Sequence, residues 1–137
     1  MASVQWNEHC NLGVKEIDEQ RQRLFDIFFT LFEDEDVSQN PLIIANTLAN
    51  LNACVHEHFS SEEKYLEECG YPELEKHIHL HDAFLKKMGD VCTNYRVINH
   101  ENLMGFLRYL YGWLINHISL CDQQYAPYIT RQPSLVP

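Results

Sequence analysis

Seven residues of this sequence have types and spacings that could do chemistry: His58 and Glu62, His77 and His81, His117 and Asp122, and Arg21. The members of the first two pairs lie four residues apart, which on an α-helix stacks both side chains on one face. Imidazole nitrogens and carboxylate oxygens without a thiolate are a donor set for iron, manganese or zinc. Gathered in one interior, four imidazoles and two carboxylates would each carry a desolvation cost of several kcal/mol unless something satisfied them. A metal cluster satisfies them together, and facing helices of a bundle are a known way to build one. His117 and Asp122 fit less simply. Residues five apart are rotated by ~140° on an ideal helix, so this pair needs a π-type irregularity or a frayed end to share a site.

Those groups have to be positioned by helices, and the apolar residues supply four stripes. Ile17, Leu24, Phe28 and Leu31, with Phe25 and Phe32 beside them, mark a helix over about 17–36. Asn40-Pro41 offers an N-cap followed by proline at the first helical position, and Ile44, Leu48, Leu51, Val55, Phe59 and Leu66 carry a second helix over 41–69 up to Gly70. Tyr71-Pro72 restarts the chain. Leu74, Ile78, Phe84, Met88, Val91 and Tyr95 predict a third helix over 72–96. Asn99 can cap a fourth over 100–126, with an inner face of Leu103, Phe106, Leu110, Trp113 and Leu120 and an end forced near Ala126 by Pro127. Stepping along these stripes lands on His58 and Glu62, on His77 and His81, and on His117, so the polar residues share the inward faces. Helices of roughly 20 residues, about 30 Å long, with short connections pack as an all-α, up-down-up-down four-helix bundle. The expected organisation is a single domain over 1–137, with an N-terminal arm over 1–16 and a tail over 127–137.

Bulk properties narrow the function classes. A chain of 137 residues can bury its own core without disulfides. Its net charge of -10 opposes a polyphosphate surface, so nucleic acid is not expected as a partner. No stretch approaches the ~20 consecutive apolar residues that span a bilayer, and the first residues lack a signal pattern, so no membrane partner is expected and the location is read as cytoplasmic. Cys10, Cys54, Cys69, Cys92 and Cys121 form an odd set without a Cys-x-x-Cys pair, which reads as reduced structural thiols.

With these residues in place, the sequence from Trp6 to Tyr128 resembles the hemerythrin family. The resemblance rests on Leu12-Gly13-Val14 with Ile17-Asp18-Glu19-Gln20, on His58-Phe59-Ser60-Ser61-Glu62-Glu63, on Gly70-Tyr71-Pro72 with His77 and His81, and on His117 with Asp122 and Tyr125. It implies a bundle holding a non-haem di-iron centre, oxo- or hydroxo-bridged, that binds dioxygen for storage, transport or sensing. Carried over by position, it assigns His77, His81 and His117 to one iron, Glu62 and Asp122 to bridging positions, and His58 to the second iron. It also implies one further histidine from the first helix, where this sequence has Arg21.

Periodicity marks the same departure, because Arg21 is the one charged member of the stripe 17, 21, 24, 28 and 31. Either its methylene stem lies along the core with the guanidinium extended outward, or the guanidinium stays beside the metal. It cannot replace imidazole as a ligand, having no lone-pair nitrogen at accessible pH. Asp18, Cys54 and Tyr65 are candidate substitutes within a helical turn of the site. His56 and His79 fall off the inner stripes, and His9 and His100 precede or begin helices, so all four read as surface residues. Glu63 either faces solvent or orients a ligand histidine.

Three functions compete: a protein binding dioxygen or a related small ligand at two irons, with second-iron coordination altered by Arg21; a di-iron enzyme using peroxide or another small anion in peroxidase or oxidase chemistry; and a bundle keeping a mononuclear, manganese- or zinc-filled site.

Overall fold

The computed structural model describes residues 14–34 and 39–131; within the last helix the side chains of 119–123 and 125–131 lie outside that description. Four helices are present, α1 (Lys15–Glu33), α2 (Pro41–Glu68), α3 (Leu74–Asn94) and α4 (His100–Arg131). No strand occurs among the described residues. Each helix packs on the next, and α4 returns to α1, closing a four-membered ring. No described helix is long and apolar enough to cross a membrane.

Local chemistry sets the helix limits. Asn40 caps α2 through its side-chain oxygen, which accepts from the backbone N–H of Leu42 at 3.0 Å and of Ile43 at 3.3 Å. Asn99 accepts from the N–H of Asn102 at 2.8 Å, the same device at the start of α4. At the end of α2, Gly70 takes φ +72°, a conformation open to glycine at little cost. There Tyr71 N–H bonds the Leu66 carbonyl and Gly70 N–H bonds that of Glu67, so a Schellman turn closes the helix.

Two expectations about α4 need correction. The helix does not end near Ala126 but continues through Pro127 to Arg131. Proline removes one N–H donor yet fixes φ near the helical value, so it weakens a helix without having to stop it. The inner face is also rotated from the expected one. Phe106 is 50% exposed, while Leu103, Met104, Leu107, Leu110, Tyr111, Leu114 and Ile118 are buried. The sequence offers two overlapping apolar stripes here, and packing selects the one centred on Leu107 and Leu114, leaving Phe106 and the half-buried Trp113 at its margin. Side chains of Leu120 and Cys121, and all of residues 1–13, where Cys10, His9 and most of the arm fall, lie outside the described residues.

The interior has three layers. A large apolar cluster joins Leu24, Phe28 and Leu31 of α1 to Leu48, Leu51 and Val55 of α2, Phe84 and Met88 of α3, and Leu107 and Leu114 of α4. A small apolar cluster at the other end gathers Val14, Ile17, Tyr65, Leu66, Cys69 and Tyr71. Between them lie Gln20, Arg21, His58, Glu62, His77, His81 and His117, all buried. Along α1 the order is small cluster, polar layer, large cluster; along α2 it is reversed, as alternating helix direction requires.

Candidate metal centre

Glu62 is the hub of the polar layer, and its two oxygens face different neighbours. Oε1 lies 2.5 Å from His77 Nε2 and 3.1 Å from His81 Nε2. One ligand atom each from Glu62, His77, His81 and His117 lies within 4.8 Å of all the others, and all four residues are buried. Oε2 faces the other way, 3.0 Å from Arg21 Nη2 and 3.5 Å from His58 Nε2.

Surrounding groups fix the orientation of the imidazoles. His81 Nδ1–H donates to Glu63 Oε2 at 2.7 Å, which fixes the ring with Nε2 facing Glu62 and the other histidines. Of the two readings for Glu63, orienting a histidine is therefore the one observed. His58 is oriented similarly by a residue whose role the sequence reading did not assign. Gln20 Nε2 donates to Ser61 Oγ at 2.9 Å, so its carbonyl oxygen is turned to accept from His58 Nδ1–H at 3.3 Å. A polar residue directly beside Arg21 on the inward stripe was the available signal. Rings complete the walls: Phe59 stacks on His81 at 3.7 Å and Trp113 on His117 at 4.7 Å.

Arg21 is fully buried, with 0% of its side chain exposed against 1% for Glu62. The alternative in which its guanidinium extends to solvent is thus excluded. Cys54 packs half-buried against the large cluster and bonds Asn50, and Tyr65 belongs to the small cluster. Neither Cys54 nor Asp18 joins the four-residue group. His56, His79 and His100 are exposed, as expected. The side chain of Asp122 lies outside the described residues, and the helix backbone there is continuous α with no π-type irregularity.

The electrostatics are those of a buried polar cluster. Burial lowers the pKa values of His58 and His117 to about 3, outweighing the attraction of Glu62. Burial acts to raise Glu62, but hydrogen bonds with His77 and His81 and the charges of His58 and Arg21 win and hold it well below the carboxylate range. For His81 burial is outweighed by Glu62 and Glu63, which raise it.

Three imidazoles and a carboxylate oxygen converging in a buried layer form a nitrogen–oxygen donor set that could hold one metal ion. The Oε2 side does not match this. Among the described residues it offers one imidazole and the shared carboxylate, with a guanidinium where a ligand would stand.

A four-helix bundle with an inward histidine–carboxylate layer is the class of protein that fold and site define. The sequence matches the Hemerythrin HHE cation binding domain over residues 12–129. The chain belongs to the hemerythrin family. It is 28% identical to a bacteriohemerythrin of Stenotrophomonas maltophilia over 127 residues, covering 92% of this chain and 81% of that one. Identity is 29% to a bacteriohemerythrin of Clostridium acetobutylicum, over 88% of this chain and 96% of that one, and 25% to hemerythrin subunit 2 of Golfingia vulgaris, over 88% of each. A crystal structure of a hemerythrin point mutant superposes with a TM-score of 0.77 at 25% identity, covering 94% of this chain and 98% of that one.

Proposed function

We propose that this protein is a non-haem iron protein that binds dioxygen or a related small ligand at the centre of its bundle. The observation that carries this reading is the buried convergence of Glu62, His77, His81 and His117 within 4.8 Å. Membership of a cation-binding family whose relatives are bacteriohemerythrins and hemerythrins supports it. His77, His81, His117 and Glu62 Oε1 would hold the ion. Iron there supplies a redox-active Lewis acid able to take a small exogenous ligand.

The chain's own residues do the rest. Glu63 holds His81 in the ring orientation that presents Nε2 inward, and Trp113 and Phe59 hold their partner imidazoles by stacking. The apolar clusters above and below exclude bulk water, which keeps the layer dry. Arg21 places a permanent N–H donor beside Glu62 Oε2, where an anionic oxygen would meet it. That donor is the ground for a second reading, consumption of peroxide.

Iron reconstitution followed by visible spectroscopy tests both. A band that appears under oxygen and vanishes on its removal is the expected result; sustained turnover of hydrogen peroxide with a reductant would favour the second reading. His77→Ala and His81→Ala should each lose iron while far-ultraviolet dichroism stays helical. Unchanged iron content in both variants would sink the assignment.

A further inference from the structure

The unequal surroundings of the two Glu62 oxygens bear on how many ions the layer can hold. We infer that the Arg21 guanidinium stands in for a second cation, so that the centre takes one iron, at His77, His81, His117 and Glu62 Oε1, rather than two. The inference rests on the metal-centre reading above.

Four observations carry it. First, Nη2 of Arg21 lies 3.0 Å from Oε2 with both side chains sealed from solvent, so this oxygen already has a cationic partner in a charge-assisted bond. Second, that partner cannot become a ligand, because a guanidinium carries donors only and keeps its proton. Third, a second ion on the Oε2 side would sit beside a fixed positive group, the Arg21 guanidinium 3.0 Å from that oxygen, which repels a further cation. Fourth, the stem of Arg21 lies on the buried stripe between Ile17 and Leu24, both sealed in apolar clusters. Swinging the guanidinium out of the layer would require those clusters to open.

His58 then has a role other than completing a second coordination shell. Its Nδ1–H is tied to Gln20 and its Nε2 faces Oε2 at 3.5 Å, so it lines the free side of the carboxylate together with Arg21. The Oε2 half is then a polar flank beside a single ion, formed by one imidazole and one guanidinium.

The test counts iron on the whole chain. Protein stripped with chelator, refilled anaerobically with ferrous iron and desalted should hold one iron per chain. After oxidation, essentially all of that iron should give the paramagnetic resonance of isolated high-spin ferric ions, whereas a bridged pair would be silent. Arg21→Lys, which keeps the cation, should also hold one. Arg21→His, which exchanges the cation for a ligand, should hold two and lose the isolated-ion signal. Two irons in the unaltered chain would overturn the inference and leave the metal centre standing. No iron in the unaltered chain would overturn the metal-centre reading itself. One iron in Arg21→His, or two in Arg21→Lys, would show that Arg21 does not set the count. If a variant fails to fold, the count and resonance of the unaltered chain still decide.

Discussion

The large apolar cluster and the polar layer are built from the same four helices by opposite rules. In the cluster, Phe28, Leu51, Phe84 and Leu107 contribute by area and fit, and each is replaceable in principle by a side chain of similar volume. In the polar layer each group depends on named partners: Glu62 on Arg21, His77 and His81; His81 on Glu63; His58 on Gln20. Burial drives the first region together and opposes the second, since every ionisable group there was taken out of water. A bundle that keeps such a layer is holding it for something other than stability.

The largest effect should come from the apolar side. Phe28 is fully buried and packs against Phe32 and Tyr111, with ring centroids 6.0 and 5.2 Å apart. Phe28→Ala should destabilise the fold by about 3–5 kcal/mol, read from denaturant unfolding, while iron content below the transition stays the same. Loss of iron with little loss of stability would break the proposed division between the regions.

Acid should act on the polar layer alone. For chelator-stripped protein, His58 and His117 sit at about 3 in the folded state against an ordinary value of 6.5. The unfolded chain therefore binds more protons than the folded one within that window, and stability falls as pH drops through it. Each imidazole contributes about 1.4 kcal/mol per pH unit. His81, raised instead, adds stability below 6.5 that is lost as pH rises through its own value, offsetting part of the fall. Glu62, held low, adds a further loss as pH drops below its usual 4.5. The melting temperature of metal-free protein should thus decline from pH 7 towards pH 4. A flat or rising profile would mean that the layer is hydrated rather than dry.

The smallest effect sharpens the comparison within the layer. Glu63→Gln keeps the size of the group but removes the charge facing His81 Nδ1, and should weaken iron affinity roughly 10- to 100-fold with the fold intact. Titration of ferrous iron into the stripped variant measures it. Unaltered affinity would make Glu63 a bystander to His81.

Much of this could be read from the sequence because helical periodicity is a property of each segment alone. The stripe 17, 21, 24, 28 and 31, the caps at Asn40 and Asn99, the stop at Gly70 and the inward steps to His58, Glu62, His77, His81 and His117 all follow from 3.6 residues per turn and local side-chain chemistry. The departure at Arg21 was visible for the same reason. Tertiary structure alone decided which of two overlapping stripes on α4 turns inward, that Arg21 points into the layer, that Gln20 and Glu63 orient His58 and His81, and that the two oxygens of Glu62 are divided between three histidines and a guanidinium. Periodicity fixes a residue's angle about its own helix axis, but the rotation and height of one helix against the next come from side-chain packing between them. Pairings across helices therefore exist only once all four are in place.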